Sequence, residues 1–186
     1  EAYQRQSEDI AYTKMSFEER LYQLLDAQEI FLKNKRITMN HRLSKIKDKQ
    51  AAIDAIDYQP QRRIDRSQIQ SLAQLNFIEA RQNIIITGKT GTGKSYLAQA
   101  LANRAIHDGF RVYYVRTPSL LEEIRISRID GTYTNLLKKY SRFKLLILDD
   151  FGIAPMVEDD ATNLFEIIED RTNINSTIIT SQLPVS

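Results

Sequence analysis

The feature that most restricts this chain is an eight-residue run, Gly88-Lys89-Thr90-Gly91-Thr92-Gly93-Lys94-Ser95. It satisfies G-x-x-x-x-G-K-[ST] at every fixed position. Ile84-Ile85-Ile86-Thr87 just before it is β-branched and reads as a short buried strand. After it, Leu97, Ala98, Leu101, Ala102 and Ala105 recur at helical spacing from about Ser95 to His107. A strand, a glycine-rich loop and a helix in that order curl successive main-chain N–H groups around a phosphate at a helix N-terminus. Lys94 reaches the β/γ oxygens of such a ligand, and the Ser95 hydroxyl ligates its Mg²⁺. Tyr96, next in line, is counted with the loop among the nucleotide-contacting residues. Taken without its context, the run is also compatible with a plain glycine turn before a helix.

The pattern downstream repeats strand and helix. Val112-Tyr113-Tyr114-Val115, Leu145-Leu146-Ile147-Leu148 and Thr177-Ile178-Ile179-Thr180 are the further strands. Between them, Thr117 is placed to cap a helix with Pro118 at its first position, and that helix stops near Asp130-Gly131. A shorter helix runs from Thr132 to near Arg142, and Ala161, Leu164, Phe165, Ile167 and Ile168 mark another. The predicted fold class is α/β: a parallel sheet flanked by helices, carrying the phosphate loop, preceded by a small all-α domain.

Two acids, Asp149 and Asp150, close the third strand, which delivers them to the carboxyl edge of the sheet. Asp149 is the expected Mg²⁺ partner, and Asp150 the candidate to orient and polarise an attacking water. The pair alone also suits capping of the turn at Gly152. The fourth strand ends in Thr180-Ser181-Gln182, where a polar group, with Gln182 the catalytic candidate, contacts the γ-phosphate or the water, or else forms a turn.

Upstream, Ser16 and Glu19 make a capping box. Phe17, Leu21, Leu24, Leu25, Phe31 and Leu32 then follow at the spacing of an amphipathic helix. Lys33 to Lys49 carries seven Lys/Arg against the single acid Asp48. Residues 1–57 are therefore predicted to form a helical domain with a basic second half, and 58–186 the core. The boundary rests on Pro60, in a connector that also holds Arg62-Arg63 and a helical stretch around Ile69, Leu72, Leu75, Phe77 and Ile78. Lys35, Arg36, Arg42 and Lys45, with Arg125, Arg128, Lys138 and Lys139 of the core, are candidate DNA-phosphate contacts; solvated helix faces are the equal alternative. A net charge of +2 is too small to argue for nucleic acid by itself. Absence of cysteine fits a reducing compartment, and two histidines, His41 and His107, are too few for a His-based zinc site. No membrane-length apolar run occurs, so a cytoplasmic location is expected.

With these residues the chain resembles AAA+ ATPases, and within them the IstB-like transposition helpers, relatives of the DnaC helicase loaders. The resemblance is carried by Ser16-Phe17-Glu18-Glu19-Arg20-Leu21, Asp65-Arg66, the phosphate loop, Leu146-Ile147-Leu148-Asp149-Asp150-Phe151-Gly152, Ile168-Glu169-Asp170-Arg171 and Ile179-Thr180-Ser181-Gln182-Leu183-Pro184. It implies an ATPase using ATP and Mg²⁺ that assembles as a homo-oligomer on duplex DNA with little sequence choice and assists a transposase. It also implies that the N-terminal helical domain adds to self-assembly and DNA contact. Asp150 stands where many AAA+ proteins carry Glu. The family's arginine finger and lid lie beyond the fourth strand, so the 186 residues are expected to bind nucleotide better than they hydrolyse it. An arginine supplied in trans is worth about 10³–10⁵ in rate in related systems. Arg171 sits either at a subunit boundary or at a helix end complementing its dipole. A helicase loader is the alternative function. A small-molecule phosphotransferase is the distant one, since no arginine-rich lid or acceptor pocket is legible.

Overall fold

The computed structural model describes residues 2–59, 64–153 and 156–183. Pro60, Arg62 and Arg63 of the connector and Pro184 after the fourth strand lie outside the described residues. The chain divides into two compact units, residues 1–39 and 40–186.

The first unit holds α1 (Ala2–Glu8), a 3-10 turn (Ile10–Lys14) and most of α2 (Phe17–Ser44). The capping box forms as expected: Glu19 accepts from the Ser16 amide at 2.8 Å, and Ser16 Oγ accepts from the Glu19 amide at 3.2 Å. Gln6 donates to the Arg20 carbonyl at 2.8 Å and holds α1 on the first turns of α2. The helical spacing is realised, but its apolar stripe is not buried. Phe17, Leu21, Leu25, Phe31 and Leu32 are all exposed, because this unit offers no second apolar layer to cover them.

The second unit begins within α2. Asn40 donates to the Phe110 carbonyl at 3.2 Å, and residues 47–52 lie along the helix that follows the phosphate loop. There Gln99 Oε1 accepts from the Lys47 and Asp48 amides, and Asn103 donates to the carbonyls of Asp48 and Ala51. Residues 40–57, expected in the helical domain, thus sit within the second unit. The connector forms two short helices, α3 (Arg66–Ala73), capped by Asp65, and α4 (Asn76–Glu79), with the buried Leu75 between them in a left-handed conformation.

Among the described residues four parallel strands follow: β1 (Ile84–Thr87), β2 (Val112–Arg116), β3 (Leu145–Phe151) and β4 (Ser176–Ser181). Their order is β1-β4-β3-β2. The helices between them are α5 (Lys94–His107), α6 (Thr117–Ile129), α7 (Tyr133–Ser141) and α8 (Glu158–Glu169). The chain crosses from β1 to β2 in one direction and returns through β3 to β4 in the other. Right-handed crossovers then place α5 on one face and α6, α7 and α8 on the opposite face. β3 and β4 are central and carry the apolar core, with Leu145, Leu146, Ile147, Leu148 and Ile178 fully buried. Helix α5 ends in a Schellman arrangement, the Phe110 amide donating to Ala105 and the Gly109 amide to Ile106.

Two local expectations change. Among the described residues β1 pairs with β4 alone, and Ile85 is 56% exposed, so here the β-branched run is half-covered rather than buried. Thr117 is the first residue of α6 and Arg116 its cap, because β2 stays paired with β3 as far as Arg116–Asp149. Arg171 is 1% exposed. Its guanidinium donates to the carbonyls of Tyr140, Phe143 and Ser176 and to Thr177 Oγ1, and burial pulls its pKa down to about 10. It meets the end of α7, not that of the helix it follows, through the Tyr140 carbonyl, and ties the α7–β3 turn to the start of β4.

Candidate functional site

The phosphate loop leaves β1 with the Gly88 amide donating to the Ser181 carbonyl of β4 at 3.2 Å. Gly91 and Gly93 adopt φ of 80° and 89°, and an added Cβ at either would meet nothing within 4 Å. Glycine is required there by backbone conformation and not by crowding. Gly93 caps α5, whose first amides point into the loop. Lys94 Nζ folds back on the loop, donating to the carbonyls of Gly88 at 2.7 Å and Lys89 at 2.9 Å, and Thr92 Oγ1 donates to Lys89 O at 2.8 Å. Thr90 Oγ1 donates to Gln182 Oε1 at 2.8 Å, so the end of β4 touches the loop directly.

Asp149 is brought to Ser95, whose hydroxyl donates to Oδ1 at 2.8 Å. The same oxygen accepts from Thr180 Oγ1, and Oδ2 accepts from the Tyr114 hydroxyl. The carboxylate is 2% exposed. Burial acts to raise its pKa, but the Thr180, Tyr114 and Ser95 hydroxyls and the Asp150 amide outweigh burial and hold it below the ordinary carboxylate range. Among the described residues no cationic side chain pairs with it. A buried carboxylate surrounded only by neutral donors, beside a serine of the phosphate loop, fits a divalent cation whose remaining ligands are phosphate and water oxygens.

Between Leu148 and Phe151 the β3–β4 register shifts by one residue on β3. Asp150 occupies this bulge with φ 58°, and its amide donates to Thr180 Oγ1 at 3.2 Å. In a regular strand consecutive acids face opposite sides of the sheet. The bulge re-aims Asp150, whose Oδ2 accepts from Arg116 Nε at 2.7 Å.

Tyr96 is anchored away from the loop at its hydroxyl and shares a cavity with it. Its hydroxyl accepts from the Ala52 amide at 3.2 Å, and its ring lines a cavity of about 640 Å³ that continues from Gly88 and Lys94 past Ile56, Leu72 and Leu97. That size and apolar lining suit a nucleotide base.

The basic candidates divide differently. Lys35 and Arg36 belong to the first unit, Arg42 and Lys45 to the second; all four are exposed. On the α6–α8 face, Arg125 forms a two-bond pair with Asp160 at 2.6 and 3.1 Å. Arg128 bonds Asn163 and Glu166 and lies 3.4 Å over the Tyr133 ring, and Lys139 pairs with Glu123 at 3.0 Å. Among the described residues Lys138 has no such partner. Most of the charge expected to face DNA on this face is balanced by neighbouring acids.

Over its full length, residues 1–186, the sequence matches the family described as IstB-like ATP binding protein. The chain belongs to the IstB-like ATP-binding family. A protein named for ATP binding in insertion sequence IS1162 of Pseudomonas fluorescens is 39% identical over 172 residues, covering 92% of this chain and 74% of that one. An insertion-sequence relative from Sinorhizobium fredii is 36% identical over 186 residues, covering 100% and 75%. Among solved structures, the DnaC helicase loader aligns with TM-score 0.64 at 25% identity, covering 73% of this chain and 78% of that one. AMPPCP-bound DnaA from Aquifex aeolicus aligns with TM-score 0.64 at 23% identity, over 73% of this chain but 42% of that one; that likeness concerns the fold. The IstB-like chain therefore has an AAA+ core, and ATP is the nucleotide of its family.

The loop, Asp149 and the strand-end acids were legible as motifs. Tyr114 and Arg116 were not, since all of Val112–Val115 is apolar or aromatic and buried, and no periodicity singles out one residue of such a strand.

Proposed function

We propose that this IstB-like chain hydrolyses ATP with Mg²⁺ while assembled on duplex DNA, and so assists the transposase of an insertion sequence. The observation that carries the reading is the Ser95–Asp149 contact at 2.8 Å beside a complete phosphate loop. It sits in a chain whose relatives are named for ATP binding in insertion sequences. In this reading the loop amides and Lys94 would hold the phosphates, and Ser95 and Asp149 would hold Mg²⁺, which would supply charge neutralisation to the phosphates. Asp150 orients the attacking water, and Gln182, tied to Thr90, contacts the γ-phosphate side.

The N-terminal helical region adds to self-assembly and DNA contact. Its exposed Phe17, Leu25 and Phe31 support the first role, since an uncovered apolar stripe favours association. Its exposed Lys35 and Arg36, with Arg42, Lys45 and Lys138, support backbone contact without base reading. The test is duplex-DNA binding followed with and without ATP at several salt concentrations. Affinity that rises with ATP and falls steeply with salt is expected, and affinity indifferent to ATP would remove the proposal.

The likeness to the DnaC helicase loader supports a second reading, in which the partner is a replicative helicase. Parallel capture on transposase and on helicase separates the two.

A further inference from the structure

Asp149 receives hydroxyl donors unequally. Ser95 and Thr180 both address Oδ1, whereas among the described residues Tyr114 is the side chain that donates to Oδ2. The reason lies in the register of β2 on β3. Arg116 pairs with Asp149, and Tyr114, two residues earlier, shares its face of the sheet, so the phenol reaches the carboxylate along a diagonal. Tyr114 is 5% exposed and sits in a strand whose other apolar members are buried too. A buried tyrosine has two side-chain torsions, both fixed by packing, and its hydroxyl seeks a partner.

A carboxylate held through one oxygen can still turn about its Cβ–Cγ bond. A donor on each oxygen removes that freedom. In the proposed function Ser95 would also hold the cation, so its contact with Oδ1 belongs to the metal side of the site. Tyr114 lies across the carboxylate from it, outside the loop, and touches none of the loop's residues by hydrogen bond. Partners of this outer kind fix a ligating group before the ion arrives.

We propose that the Tyr114 hydroxyl is the positioning donor that sets the plane of the Asp149 carboxylate for a divalent cation, and that Tyr114 thereby governs the metal dependence of nucleotide binding and not nucleotide binding itself. This rests on the reading of Ser95 and Asp149 as the metal side of the site. Removing the hydroxyl leaves Oδ2 buried without its side-chain donor and the carboxylate free to tilt.

The test is titration of the full chain with a fluorescent ATP analogue, first in EDTA and then across Mg²⁺ concentrations, with Mn²⁺ binding followed by electron paramagnetic resonance. Tyr114→Phe is expected to match wild type in EDTA and to need about 10-fold more Mg²⁺ or Mn²⁺ for half its effect. In an Asp149→Asn background, Tyr114→Phe should add nothing to the metal requirement. Unchanged metal midpoints in Tyr114→Phe would overturn the proposal, as would an equal loss with and without metal, which marks a packing role. A wild-type chain that binds the analogue with no gain from metal would overturn the metal-side reading itself, and one that binds no analogue would overturn the nucleotide reading.

Discussion

Arg116 and Asp150 form an ion pair at 2.7 Å, joining the last residue of β2 to the residue at the β3 bulge. The acid proposed to orient water therefore has one oxygen committed to a guanidinium. Arg116→Ala is expected to leave ATP affinity near wild type and to raise basal turnover several-fold, because Asp150 regains its full acceptor capacity. Asp150→Asn should also keep ATP bound but slow turnover by about 10²-fold or more. Phosphate release measured beside nucleotide binding checks both, and a fall in turnover for Arg116→Ala would assign the pair a supporting role instead.

Lys94 donates to two loop carbonyls, Gly88 and Lys89, and among the described residues no acid pairs with it. A charge-assisted contact of this kind contributes about 1.5–3 kcal/mol. Lys94→Ala should then weaken ATP binding by roughly 10- to 100-fold. Calorimetric titration reads this directly; an unchanged dissociation constant would remove Lys94 from the phosphate contacts.

Asp160 is buried, and its pKa is held down first by the Arg125 guanidinium, with the Val157 amide adding to it against the effect of burial. A lowered folded-state pKa gives stability that is complete above the unfolded value of about 3.9 and is lost as pH falls through the folded value. Melting temperature should hold from pH 7 to about pH 5 and fall below that. Asp160→Asn should lower it at pH 7 and flatten the acid limb. A pH profile of Asp160→Asn parallel to wild type would show that the pair does not respond in this window.

Arg171 donates to the carbonyls of Tyr140, Phe143 and Ser176 from a buried position. Arg171→Leu should cost about 3 kcal/mol or more in urea unfolding, since each orphaned group costs about 1–3 kcal/mol. A variant as stable as wild type would mean that the α7–β3 turn reorganises to satisfy them.

What was legible beforehand follows from how local each signal is. The phosphate loop and the Asp149–Asp150 pair are runs of adjacent residues whose roles depend on immediate neighbours. The helical spacing of Phe17 to Leu32 fixes a helix but says nothing about what covers it, and these side chains are exposed. Arg171 follows a helix, as its place in the chain suggests, yet its partners lie on the α7–β3 turn and β4.

The sequence by itself determined the phosphate loop, the alternation of strands and helices and the acids at the end of β3, because each is written within a few consecutive residues. Only the tertiary structure decided that Tyr114, Thr180 and Ser95 converge on one carboxylate, that Arg116 takes Asp150, and that β1 lies beside β4. Those relations depend on strand order and on a bulge, and pairing between strands far apart in the chain leaves no periodic mark in either one.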